Sequence, residues 1–268
     1  MSDYLAFLLW PFIACLVLVG IHVYFGLHII KRGIIFVDLS LAQVAALGMT
    51  VAFLIHYPVN SNASYLFSLG FALTGAAIFT MTRGIEGRVP QEAIIGIVYA
   101  VSSAAAVLAV SHSPEGAEHI RYLLVGSILT VTPADVAKTA GMYAAVGLFH
   151  WLTRRRFLKL TFDGHGTTKQ DRWWDFLFYA TFAIVVTSSV KICGVLLVFI
   201  FLVVPSVSAA LLTDTIAHRL FYGWAFGLVG AALGLVLSFE LDTPSGGTIV
   251  WIFGVMLLIH AGLRKAWR

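Results

Sequence analysis

The chain has 268 residues, of which 60% are hydrophobic and 11% charged, with 17 Lys and Arg against 13 Asp and Glu, for a net charge of +4. A soluble domain of this length carries about 25% charged residues, so a mean hydropathy of +0.93 identifies a polytopic integral membrane protein and excludes a water-soluble enzyme or a nucleic-acid binder. The basic surplus, with a pI near 9.1, is explained by where the cations fall rather than by an acidic partner.

In chain order, apolar segments run over residues 5–30, 36–56, 64–82, 92–110, 136–152, 174–189, 192–212, 220–238 and 247–263. At ~1.5 Å per residue each approaches or exceeds the reach of a bilayer core. The expectation is an all-α protein of eight or nine transmembrane helices forming one transmembrane domain over residues 1–268. The first run lacks a basic flank before it and is long enough to remain as a span, which argues against a cleaved leader. Arg121–Thr132 is too short to span and predicts a re-entrant or interfacial helix.

With the C-terminus on the cytoplasmic side, alternating spans place every basic residue inside except Arg121, Lys138 and Lys191. That asymmetry is what the positive-inside rule requires, and it puts the N-terminus outside. The longest polar interruption, Thr153–Trp173, then faces the cytoplasm. Its Gly164-His165-Gly166-Thr167-Thr168-Lys169 run does not match a phosphate-binding loop, and no strand precedes it, so nucleotide binding is not expected of this chain.

Chemistry-bearing residues are few. Asp38 is the acidic residue placed inside an apolar segment, where a carboxylate is costly and marks function. Two readings stand: a group lining a cation pathway, or the cap of a helix starting near Leu39. Ser40 and Gln43 follow, but five residues turn a helix by about 500°, so Asp38 and Gln43 do not share a face of a regular helix. His22, His28, His150 and His260 lie in or at the ends of spans without i, i+4 spacing. His112, Glu115, Glu118 and His119 form an outer loop that either guides cations or is simply solvated. Cys15 and Cys193 have no ligand spacing and are read as small buried residues.

The run from Val190 to Asp214 holds Pro205 followed by Ser206-Val207-Ser208-Ala209-Ala210. Proline kinks a helix and frees a carbonyl, and small residues let a second helix come close, so a kinked span packed on others is expected. Its Lys–x–x–Gly–x–Leu–Leu start and Pro-Ser-x-x-Ala end resemble the membrane subunits of metal-type ABC importers. Further stretches match that family in order: Lys31–Gly48, Pro90–Ala100, Tyr122–Asp135, Leu160–Gly166 and Leu241–Val250.

The resemblance implies the vitamin-B12-permease type of fold and a transport subunit in the inner membrane that catalyses nothing and binds no cofactor. Its partners would be an ATP-binding cassette subunit, an extracytoplasmic metal-binding protein, a second permease copy and membrane lipid. Its cargo would be zinc or manganese. The alternatives are an ATP-independent cation transporter or channel, and an ABC permease for a non-metal cargo. Carried over by motif, Asp38 matches the family's pathway aspartate, and Gln43 stands where many members have a metal-binding histidine. Phe162 and Asp163 match the start of the element that couples to the ATPase. After them this chain departs from the family, because Gly164–Thr168 is a poor helix former.

Overall fold

The computed structural model describes residues 2–59, 61–83, 89–113, 115–126, 128–162 and 168–266. No strand occurs among them. Ten helices follow in order: α1 (Ser2–Arg32), α2 (Val37–Leu54), α3 (Asn62–Thr82), α4 (Gln91–Val110), α5 (Gly116–Val125), α6 (Pro133–Leu152), α7 (Arg154–Phe162), α8 (Lys169–Leu212), α9 (Ile216–Glu240) and α10 (Ser245–Ala266). A short 3-10 turn, Ile128–Thr130, follows α5. Seven of these helices, α1 to α4 and α8 to α10, are long and apolar enough to cross a membrane.

Each of the nine apolar segments is helical. The reason is general: a backbone in hydrocarbon must satisfy its own hydrogen bonds, so an apolar run of span length has little choice but to coil. Helix α8 has 44 residues, about 66 Å at 1.5 Å per residue and twice a bilayer core. It is two helices joined at Gly194, whose φ of 76° and ψ of 166° are not helical. Pro205 lies in the second of them. The segment 121–132 forms the end of α5 and the 3-10 turn, in line with a short non-spanning element.

The chain forms two compact units. The first comprises Met1–Ile30, Val125–Ala145 and Ile192–Arg268. Here α1 meets the second half of α8 through Gly26, where a β-carbon would overlap the Leu202 carbonyl oxygen and the Ser206 hydroxyl. Ser206 donates to the Val23 carbonyl at 3.3 Å, and the Trp224 indole of α9 donates to the Gly20 carbonyl at 3.0 Å. The buried glycines of α9 face Val19, Val23 and Pro205 at one end of that helix and Phe253 and Ile249 of α10 further along. Small residues at the crossings let the backbones approach, the usual means of association where lipid is as apolar as leucine. Gly26→Ala is therefore expected to destabilise the protein by about 1–3 kcal/mol. Gly147→Ala, with open space at its β-carbon, should not. Thermal unfolding of the two variants in detergent would measure the difference.

The second unit comprises Lys31–Leu124 and Val146–Lys191. Helix α2 is its centre, buried on nearly every side and packed against α3 and α4. Gly48 sits against the Phe67 backbone, Gly75 of α3 sits against Leu41 and Val44, and Ser68 donates to the Ala45 carbonyl at 2.7 Å. A helix buried all round has no solvent-facing stripe, which accounts for its uniformly apolar sequence. The polar exceptions within it are Asp38, Ser40, Gln43 and Thr50, of which Asp38 is the one acidic residue.

Candidate functional site

Helix α1 ends at Arg32, and the chain turns through Gly33, at a φ of 68°, into α2. Phe36 is the N-cap residue of α2 and its side chain makes no cap. Its N–H donates instead to the Glu92 Oε1 of α4 at 3.0 Å. Asp38 thus lies in the first turn of α2, one residue past its start, and is not its cap. Its side chain is 0% exposed, and neither carboxylate oxygen finds a hydrogen-bond partner among the described residues. A helix-capping aspartate would accept from a backbone N–H. Asp38 does not.

Ser40 is equally buried, and its hydroxyl oxygen also has no hydrogen-bond partner among the described residues. Gln43 is buried at 7% exposure. An unpartnered carboxylate and hydroxyl in one buried helix turn are expensive to maintain, because each has lost water and gained nothing in return. On a regular helix Asp38 and Ser40 point about 200° apart, and it is the unpartnered carboxylate that suits a cation, which supplies the missing partner.

The histidines are engaged elsewhere. His22 pairs with the Leu18 carbonyl at 2.7 Å and sits edge-on to Tyr143. His28 meets Tyr24 edge-on at 4.9 Å, and His150 pairs with the Thr181 hydroxyl at 2.8 Å while stacking on Phe157. His260 is hydrogen-bonded to Ser208. His112, Glu115 and Glu118 are exposed at the start of α5. Among the described residues no group of three or more His, Cys, Asp and Glu side chains is placed to hold a metal ion. Both cysteines are buried and neither forms a disulfide among the described residues.

The Thr153–Trp173 interruption contains α7, nine residues long, which the polar RRRFLKLTF sequence does not announce. Phe162 closes it, 38% exposed, with the Lys31 ammonium 5.5 Å from its ring centre. Asp163 lies outside the described residues.

One cluster is absent from the sequence reading. Asp175 of α8, 2% exposed, accepts a hydrogen bond from Arg32 at 3.1 Å and forms an ion pair with Arg83 at 2.6 Å. Arg32 also donates from Nε to the Thr161 hydroxyl of α7 at 3.0 Å, and its guanidinium lies 4.0 Å from the Phe178 ring centre. Asp175 follows the polar stretch Lys169–Arg172, so in sequence it looks like a solvated helix start. Only the approach of residues 143 positions apart reveals its partner.

A profile described as the ABC 3 transport family matches residues 4–263. The manganese transport system membrane protein MntB of Synechocystis is 25% identical over 243 residues, covering 85% of this chain and 76% of the relative. The chelated iron transport system membrane protein YfeC of Yersinia pestis is 25% identical over 222 residues, covering 82% and 73%. The solved structure of PsaBC from Streptococcus pneumoniae in complex with Fab superimposes with a TM-score of 0.78 at 21% identity, covering 97% of this chain and 93% of that one.

Proposed function

Because the chain belongs to the ABC 3 transport family, we propose that it is the permease subunit of an ATP-driven importer of divalent metal ions and that its cargo is manganese. The observation that carries this reading is the fully buried Asp38 carboxylate with both oxygens unpartnered among the described residues. Its own donors are oxygens, and Ser40 and Gln43, which follow in the same regular helix, do not share its face. Carboxylate and carbonyl oxygens suit manganese, whereas zinc prefers imidazole or thiolate. The substitution of an amide for the family's histidine therefore argues against zinc. The relative named for manganese supports the same choice.

In this reading two copies of the chain surround the pathway, an extracytoplasmic metal-binding protein delivers the ion, and a separate ATPase drives the cycle. The C-terminus and the Thr153–Trp173 segment are cytoplasmic, on the side where the basic residues concentrate. The ATPase docks at the end of α7, with exposed Phe162 and the adjacent Asp163 as its contact.

The test is reconstitution of this chain with its ATPase in proteoliposomes. Manganese should enter only when ATP is hydrolysed, and a cysteine placed at Asp163 should crosslink to the ATPase. Uptake that continues without ATP would establish a self-sufficient cation transporter instead. Crosslinks to lipid alone would remove Asp163 from the docking surface.

A further inference from the structure

The polar contacts of the second unit close into a ring. Starting from α7, Thr161 accepts from Arg32 at the end of α1. Arg32 leads through a tight turn to Phe36, whose N–H is held by Glu92 at the start of α4. The neighbouring Gln91 donates to the Tyr179 hydroxyl of α8 at 3.2 Å and to the Phe79 carbonyl of α3 at 3.0 Å. One turn back along α8, Asp175 accepts from Arg32 and completes the circuit, with Arg83 at the end of α3 as a second cation paired to it. Arg32, Arg83, Asp175, Gln91, Thr161 and Tyr179 are all buried or nearly so.

A buried ion pair is weak evidence for stability, since an apolar trio often serves as well. What it does provide is a joint that resists separation, because pulling one partner away strands a charge in a dry site. Helix α7 is too short to hold its shape alone. Its seat consists of Thr161 on Arg32 and Phe157 against His150, Trp174 and Phe178. Any displacement of α7 therefore acts on Arg32. Arg32 is joined by a short turn to the first turn of α2, where Asp38 sits.

We propose that Arg32, Thr161 and Asp175 are positioning residues for transport, which convert movement of α7 into movement of the α2 N-terminus that carries Asp38. The proposal rests on the permease reading above, and the assay separates the two. Binding of the ATPase to the wild-type chain tests the permease reading alone. Manganese delivered per ATP hydrolysed tests the joint.

Thr161→Val keeps the shape and removes the acceptor for Arg32, while Thr161→Ser keeps the hydroxyl. In proteoliposomes holding the permease with its ATPase, the valine variant should retain ATPase binding and ATP hydrolysis. Manganese moved per ATP should fall about tenfold, the scale set by one hydrogen bond to a charged group. The serine variant should restore the ratio. A purely structural contact would lower the melting temperature of the valine variant and leave the ratio alone, and that result overturns the proposal. Loss of ATPase binding in the valine variant also overturns it, since Thr161 would then belong to docking. Arg32→Lys keeps the charge on Asp175 but cannot span both Asp175 and Thr161 as the guanidinium does. It should lower the ratio as well, and the double variant should be no worse than the more severe single one. Additive losses would show two independent contacts and defeat the joint. Should the valine variant fail to fold, a wild-type ratio in Arg32→Lys overturns the proposal by itself.

Discussion

Asp38→Asn is expected to reduce manganese uptake by about 10–100-fold at limiting metal while leaving the protein as stable as before or more so. The two halves of that expectation come from the same geometry. Asparagine matches aspartate in size, and the native carboxylate accepts no hydrogen bond from the described residues that the amide would forfeit. A charge held in a dry site without a partner opposes folding, so its removal relieves a cost. The cation loses its one formal negative charge in α2, and loss of even an outer-shell partner of a metal ligand costs about 10–100-fold. A capping residue would behave in the opposite way on both counts, because asparagine caps as well as aspartate and transport would not change. The measurement pairs uptake of manganese over a range of concentrations with thermal unfolding of the same preparation. Normal uptake in the variant would remove Asp38 from the pathway and assign selectivity to the partner proteins.

How much of this was legible in the sequence differs by feature, and the physical cause of each difference is specific. The spans were legible because hydrocarbon permits one regular solution for an isolated apolar run. Asp38 stood out because its apolar neighbours have no use for a carboxylate. Helix α7 was hidden by the same rule in reverse: Arg154, Arg155, Arg156 and Lys159 give it no apolar run to detect, and its stability comes from Phe157 and Leu160 packed into the unit. Asp175 was hidden by its position beside Lys169 and Arg172, where charge looks solvated. Its burial depends on Arg32 and Arg83, which no local pattern connects to it. In α8 the sequence offered Pro205 as a kink but gave no sign of the non-helical residue Gly194, which lies eleven positions earlier. A proline can remain in a helix when neighbours satisfy the freed carbonyl. A glycine at positive φ cannot be recognised without knowing what lies against it.

What lies against Gly194 is Gly126, and this crossing is where a single methyl group should do most structural damage. Gly126 follows α5 at a φ of 60°, a conformation that costs an L-residue about 1–2 kcal/mol. A β-carbon there would overlap the carbonyl carbon of Cys193 and the nitrogen of Gly194. Both are backbone atoms, fixed in place by the two halves of α8, and they cannot swing aside as a side chain can. Overpacking adds about 1–3 kcal/mol to the conformational cost, so Gly126→Ala should lose about 2–5 kcal/mol. For a protein of this size that is a fall of about 4 °C or more in melting temperature. Gly141→Ala in α6 is the control, with nothing within 4 Å of its β-carbon and a helical backbone that favours alanine. It should melt at the wild-type temperature or slightly above. The two variants differ by the same methyl group and report only on what surrounds it. Gly126→Ala melting within about 2 °C of wild type would mean that the backbones do not cross as closely as this and that the junction of the two α8 helices yields to a side chain.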